Sequence, residues 1–359
     1  MGRNQQDLLQ QDCERVFQGI NDPDSFAILD GMAILITGGT GFIGAWLGQF
    51  ISYVKKTLKI NIKVYIVGRD KQKFDQRFGY YENGVEFIRC DVRHLTEIPR
   101  DVNFIVHAAG IPDTRFHMSN PMETMTTISD GTINVLKAAD RASNIRMILH
   151  LSSGSVYCRY PAEDMVKISE GQTPGSAGLD SIRSAYVEAK RYAEVLCAAG
   201  RSEMRLPICI IRPFSFIGPY QSLDAPWAIN NFINDGLSKR PIRILGDGQA
   251  VRGFLYGADA AGWLLKLLTC AKSDQVYNIG SPDGFSLEEI ARKVAVNFNP
   301  SPEILLNASL IPIQSTITRF LPDISKICST CNVRQYTSLD MAIKRTIEWN
   351  ADIHFGGGK

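Results

Sequence analysis

The segment that most restricts this chain is Thr37-Gly38-Gly39-Thr40-Gly41-Phe42-Ile43-Gly44, which follows the apolar run Met32 to Ile36. Glycines at 38, 41 and 44, set between a β-branched run and an amphipathic stretch, specify strand, tight turn and helix. Gly38 admits the turn, Gly41 lets a ligand approach the backbone, and Gly44 lets the helix pack on the strand. A helix starting at such a turn offers unpaired N–H groups and partial positive charge to phosphates. Thr40, Phe42 and Ile43 complete the phosphate-facing turn.

The same rhythm continues downstream. Strand candidates are Met32–Ile36, Ile62–Val67, Val85–Arg89, Asn103–His107, Met147–Leu151 and Ile208–Ile211, with helical patterns such as Phe42–Tyr53 and Gly131–Ala142 between them. Strand and helix in alternation predict an α/β fold, a Rossmann-type doubly wound parallel sheet. After Pro213 the pattern breaks into shorter pieces around Pro219, Pro226 and Pro241, with helices expected at Ala260–Cys270 and Ser286–Val296. Three units are expected: a helical extension (1–30), a dinucleotide-binding domain (31–213) and a smaller mixed α/β substrate lobe (214–359), with some chain crossing back. The lobe should sit over the carboxyl ends of the strands, where such sheets bind ligands.

Composition narrows the functional classes. A net charge of +2 over 359 residues makes no electrostatic case for nucleic acid or an anionic membrane. No run approaches the ~20 apolar residues of a membrane span, and Met1 to Asp30 lacks the apolar region of a secretory signal. The eight cysteines are scattered, several in apolar segments such as Cys197, Cys209 and Cys270, which suits buried, reduced thiols and a cytoplasmic setting. Cys328 and Cys331 have metal-ligand spacing but lack a second pair, so no metal is expected.

The second strand runs into Gly68-Arg69-Asp70. A carboxylate at that strand tip binds the adenosine ribose of NAD(H), whereas an arginine pairs with the 2′-phosphate of NADP(H). Arg69 favours NADP(H); NAD(H) stays open if Asp70 takes the ribose. Asp91 closes the third strand beside Val92, where it can accept from the adenine amino group. Ala108, Ala109 and Gly110 follow the fourth strand with side chains small enough for close passage of the cofactor.

Tyr186 and Lys190 are four residues apart and share a face of a helix. An ammonium beside a phenol lowers its pKa and brings proton transfer towards neutral pH. With 12 tyrosines in the chain, that spacing alone carries little. It gains weight from Ser152-Ser153 after the fifth strand, where Ser153 can bind the substrate oxygen beside Tyr186. Lys190 can also hold the nicotinamide ribose.

Taken in order, Thr37–Gly44, Asp91, His107–Gly110, Asp130–Thr132, Ser152–Tyr157, Tyr186–Lys190, Arg212–Pro219, Gly246–Gly248, Arg252 and Tyr256–Asp259 make the chain resemble the extended short-chain dehydrogenase/reductase family, in its nucleotide-sugar epimerase/dehydratase branch. The resemblance covers roughly Gly31 to Trp349. It implies Ser153, Tyr186 and Lys190 as the catalytic trio, and Ser215 and Arg252 as contacts to the diphosphate of a nucleoside-diphosphate sugar. A homodimer is expected alongside. Dehydratases of this branch place an Asp-Glu pair after the catalytic Ser/Thr, and decarboxylases keep the Glu; here Gly154 and Ser155 stand there and cannot transfer protons. Ser215 also replaces the usual asparagine. What remains is hydride transfer at sugar C4, favoured as an NADPH-dependent 4-keto-sugar reductase. The alternatives are a 4-epimerase with retained cofactor and, more remotely, a non-catalytic nucleotide-binding protein on the same fold.

Overall fold

A computed structural model describes residues 3–79, 84–158, 167–172, 178, 181–182, 184–307 and 319–356. In chain order, α1 (Arg3–Ile20) and α2 (Pro23–Ala27) lead into β1 (Met32–Thr37), α3 (Phe42–Leu58), β2 (Ile62–Gly68), α4 (Lys71–Phe78), β3 (Val85–Arg89) and β4 (Val102–His107). Next come α5 (Thr114–Ser119), α6 (Pro121–Asp140), β5 (Met147–Leu151), α7 (Ser184–Glu203), β6 (Ile208–Pro213), β7 (Ser215–Ile217) and α8 (Ala228–Leu237). The chain goes on through β8 (Ile242–Leu245), β9 (Val251–Arg252), β10 (Phe254–Tyr256), α9 (Gly257–Cys270), β11 (Val276–Ile279) and β12 (Phe285–Ser286). It closes with α10 (Leu287–Ala295), β13 (Ile304–Asn307), β14 (Arg319–Phe320), α11 (Ser325–Cys331) and α12 (Leu339–Gly356).

Seven strands form one sheet in the order β11-β6-β5-β4-β1-β2-β3, and every pairing is parallel. Parallel strands need helical crossovers that cover both faces, which explains why all of β5 and nearly all of β1 are buried. The order reverses between β1 and β4. A crevice therefore opens at their carboxyl ends, where the glycine turn and Ala108–Gly110 meet. The six strands read from the β-branched runs are all present. The seventh, β11, comes from beyond residue 213 and pairs with β6.

The N-terminal extension is helical and packs into the molecule, and helix α1 does not line the cavity described below. Its Leu9, Cys13 and Val16 are fully buried in the main core, against α3, α9 and α12. An amphipathic helix with such a face gains more from intramolecular burial than from standing exposed. Cys270, expected as a reduced thiol, is bonded to Cys331, because α9 and α11 bring their Cα atoms to 5.8 Å. The reduced-thiol argument loses this pair, whereas Cys197 and Cys209 are free and buried. Among the described residues, no helix is long and apolar enough to cross a membrane.

Candidate active site

The glycine turn has the shape the sequence demands. Gly38 has φ +64°, and a Cβ there would lie 2.7 Å from the Ala108 carbonyl oxygen. A Cβ on Gly44 would lie 2.3 Å from the Gly39 Cα, so only glycine lets α3 start this close to β1. Helix α3 begins at Gly41 with no side-chain cap, leaving its first N–H groups directed at the crevice. This cradle fits the pyrophosphate of a dinucleotide.

A cavity of about 450 Å³ runs from this turn across the ends of β4 and β5. Gly38, Gly41, Phe42, Ile43 and Gly44 line one end, with Ala108 and Gly110 beside them. Ser153, Tyr186 and Lys190 line its middle; Ser215, Trp227 and Phe320 line the far end. Ser153, Tyr186 and Lys190 come together because β5 ends at Leu151 and α7 runs past it. Ser153 caps the short 3-10 turn Gly154–Tyr157, accepting from the Ser155 N–H at 3.1 Å.

Lys190 is 6% exposed and donates from Nζ to the Leu151 carbonyl at 2.6 Å. Burial lowers its pKa to about 8. The nearest acid on its helix face, Glu194, does not neutralise it, being held by Arg212 through two bonds of 2.9 and 2.7 Å and by the Ser152 hydroxyl. The Tyr186 phenol departs from expectation. Burial pushes its pKa up and the Ser153 hydroxyl draws it back only in part. The ammonium expected to depress it is engaged with a backbone carbonyl.

The adenosine end also differs. The Arg69 guanidinium, 54% exposed, lies 3.7 Å from the carboxylates of both Asp91 and Glu123. Arg93 grips Asp91 through Nε at 3.0 Å and Nη2 at 2.7 Å, and holds its pKa down to about 2. Two arginines thus face two carboxylates, with Arg69 the more exposed of the pair. Asp70 caps α4 by accepting from the Lys73 N–H at 2.9 Å, which commits it away from a ribose. Val92 is buried in the core beneath Gly131 rather than facing the cavity. Arg252 is not among the cavity-lining residues; its Nη1 donates to the Val251 carbonyl at 2.8 Å.

Sequence reasoning missed Arg93, Glu123, Trp227 and His117. Only Arg93 left a local trace, lying two residues from Asp91; the others come from separate elements that meet only on folding. Among the described residues, no cluster of three potential metal ligands occurs.

A family model described as the NAD dependent epimerase/dehydratase family matches residues 34–280. UDP-glucuronic acid decarboxylase 3 of Arabidopsis thaliana is 31% identical over 297 residues, covering 82% of this chain and 82% of that protein. UDP-N-acetyl-alpha-D-glucosaminuronate decarboxylase of Bacillus cytotoxicus is 27% identical over 328 residues, covering 89% and 98%. The structure of UDP-glucuronic acid 4-epimerase of Bacillus cereus, in complex with UDP-glucuronic acid and NAD, matches with a TM-score of 0.76 at 24% identity, covering 90% of this chain and 100% of that one. At that identity the structural likeness speaks to the fold alone.

Proposed function

The chain belongs to the NAD-dependent epimerase/dehydratase family, and from that premise we propose that it is a 4-epimerase of a nucleoside-diphosphate sugar that retains NAD. One observation carries this reading: a hydride-transfer trio lines the cavity with no carboxylate among the described lining residues. Elimination needs an acid beside the reacting carbons, and the family resemblance implies that a decarboxylase carries a Glu where Ser155 stands. Interconversion of hydroxyl and ketone at C4 needs only the trio and a nicotinamide to accept and return the hydride. The pairing of Arg69 with Asp91 and Glu123 supports NAD over NADP, and the UDP-sugars in the relatives' names support a uridine nucleotide.

When bound, an oxidised nicotinamide supplies the hydride acceptor at C4 and a positive charge that opposes the burial cost of a phenolate. Ser153 holds the C4 oxygen. Tyr186 takes the hydroxyl proton as the ketone forms and returns one when the hydroxyl is restored on the other face. Lys190 keeps positive charge near the phenol during both transfers. Ser215 and Trp227, at the far end, flank the nucleotide side of the sugar.

We also propose a homodimer. Met122 and Met125 on α6 and Tyr192 and Val195 on α7 are exposed, each pair three residues apart, on helices that pack side by side. A monomeric mass by sedimentation removes that part. The reaction is tested with a panel of UDP-sugars, with and without NADPH, read by mass spectrometry. An isomer of equal mass is expected. A gain of two hydrogens restores the reductase reading, and loss of carbon dioxide from UDP-glucuronic acid overturns the argument from Ser155.

A further inference from the structure

The imidazole of His117 lies flat on the phenol of Tyr186, ring centroids 4.2 Å apart and planes 8° from parallel. His117 sits on the six-residue helix α5, which is tied down at Arg115 in its first turn. Asp113 caps it by accepting from the Arg115 N–H at 2.8 Å, and the Arg115 guanidinium donates to the Asp224 carbonyl at 2.8 Å. The imidazole itself is 7% exposed and donates from Nε2 to the Ile111 carbonyl. A carbonyl only accepts, so the proton is on Nε2 and the plane of the ring is set by that bond. Burial first of all, and the Lys190 charge, hold the imidazole below its ordinary pKa, against the Ile111 carbonyl and Asp113. Tyr186 packs in addition against the cluster Ile128, Ala189 and Ala193.

A phenol has two side-chain torsions, and its hydroxyl must meet both Ser153 and the sugar oxygen. A swing of the ring by about 10° about the Cα–Cβ bond, out of its plane and off the imidazole, would move the hydroxyl by about 1 Å, a displacement worth up to about 100-fold in rate. We infer that His117 is a positioning residue: its hydrogen-bonded ring is a plate that fixes the orientation of the Tyr186 phenol towards Ser153. The inference rests on Tyr186 being the proton-transferring group of the proposed reaction.

Three variants test it. His117→Ala removes the plate, and kcat is expected to fall about 10- to 100-fold, with KM within about threefold and cofactor content unchanged. His117→Phe keeps a flat ring and is expected to recover kcat to within about fivefold of the parent, whereas His117→Leu, of similar volume but without a plane, is not. The inference is overturned if His117→Ala turns over within about twofold of the parent, if Phe is no better than Leu, or if KM and cofactor content change as much as kcat. Should the Ala variant fail to fold, the Phe–Leu comparison decides alone. Where the parent turns over no UDP-sugar, the epimerase reading falls by itself. The plate is then judged by ultraviolet titration of Tyr186, isolated by subtracting the Tyr186→Phe spectrum. Opening the ring to water in His117→Ala should move that titration to lower pH, and an unmoved titration overturns the inference.

Discussion

Two buried charged clusters in this molecule are built on opposite terms. At the N-terminal end, Asp12 on α1 is 0% exposed and meets three donors: the Tyr256 hydroxyl at 2.6 Å, Arg15 at 2.5 Å and Arg345 at 3.0 Å. These bonds tie α1 to β10 and α12. At the cavity, Lys190 is nearly as buried but meets a carbonyl, because Arg212 and Ser152 have taken the one acid on its face. Charge that holds structure has its partners in full. Charge kept for chemistry is left short of a counter-ion, and its pKa moves towards neutrality as a result.

The largest test of this contrast is at the phenol the cavity cluster serves. Tyr186→Phe should cost about 10²–10⁴-fold in turnover while cofactor content and thermal midpoint stay as in the parent. Turnover within tenfold would detach the cluster from the chemistry. Asp12→Ala should do the reverse. It leaves the buried Tyr256 hydroxyl without its acceptor and the partly buried Arg15 and Arg345 without Asp12, which costs about 1–3 kcal/mol in urea unfolding, while folded protein keeps its specific activity. A loss under about 1 kcal/mol would show that α1 is held by its apolar face alone.

The pH dependence separates the clusters next. Lys190 titrates near 8 in the fold against an ordinary 10.5, so between those values the unfolded chain holds more protons. Stability therefore rises with pH across that window, by about 3 kcal/mol from this group. Lys190→Met should flatten the rise, read as the urea midpoint from pH 7.5 to 10.5. An unchanged slope would mean that Lys190 keeps its ordinary pKa. The smallest effect is expected at the exposed end of the cofactor site. Arg69→Ala should change NAD affinity by less than about 1 kcal/mol, since half-exposed pairs at this distance contribute little. In calorimetry, a loss above about 1.5 kcal/mol confined to NADP would restore the 2′-phosphate role for Arg69.

The sequence by itself determined the sheet, its glycine turn and the meeting of Ser153, Tyr186 and Lys190. Those are short-range patterns: two-residue and 3.6-residue periodicities, and a turn that tolerates no Cβ at Gly38. The residues that lie on strand ends inherit their places from that topology. Only the tertiary structure decided what each charge faces. Arg69 reads as a free arginine in the chain, yet Glu123, 54 residues on, and Asp91 flank it once α6 packs on the Val92–His94 turn after β3. Lys190 reads as the partner of Tyr186 but bonds Leu151, and His117 gives no periodic signal until α5 lays it on the phenol. Helix α1 likewise reads only as a helical extension, and the sequence does not show that its Asp12 meets Arg345 from the far end of the chain. Periodicity reports which face a side chain takes on its own element. Electrostatic partners are set by distances between elements, and those exist only after the chain has closed.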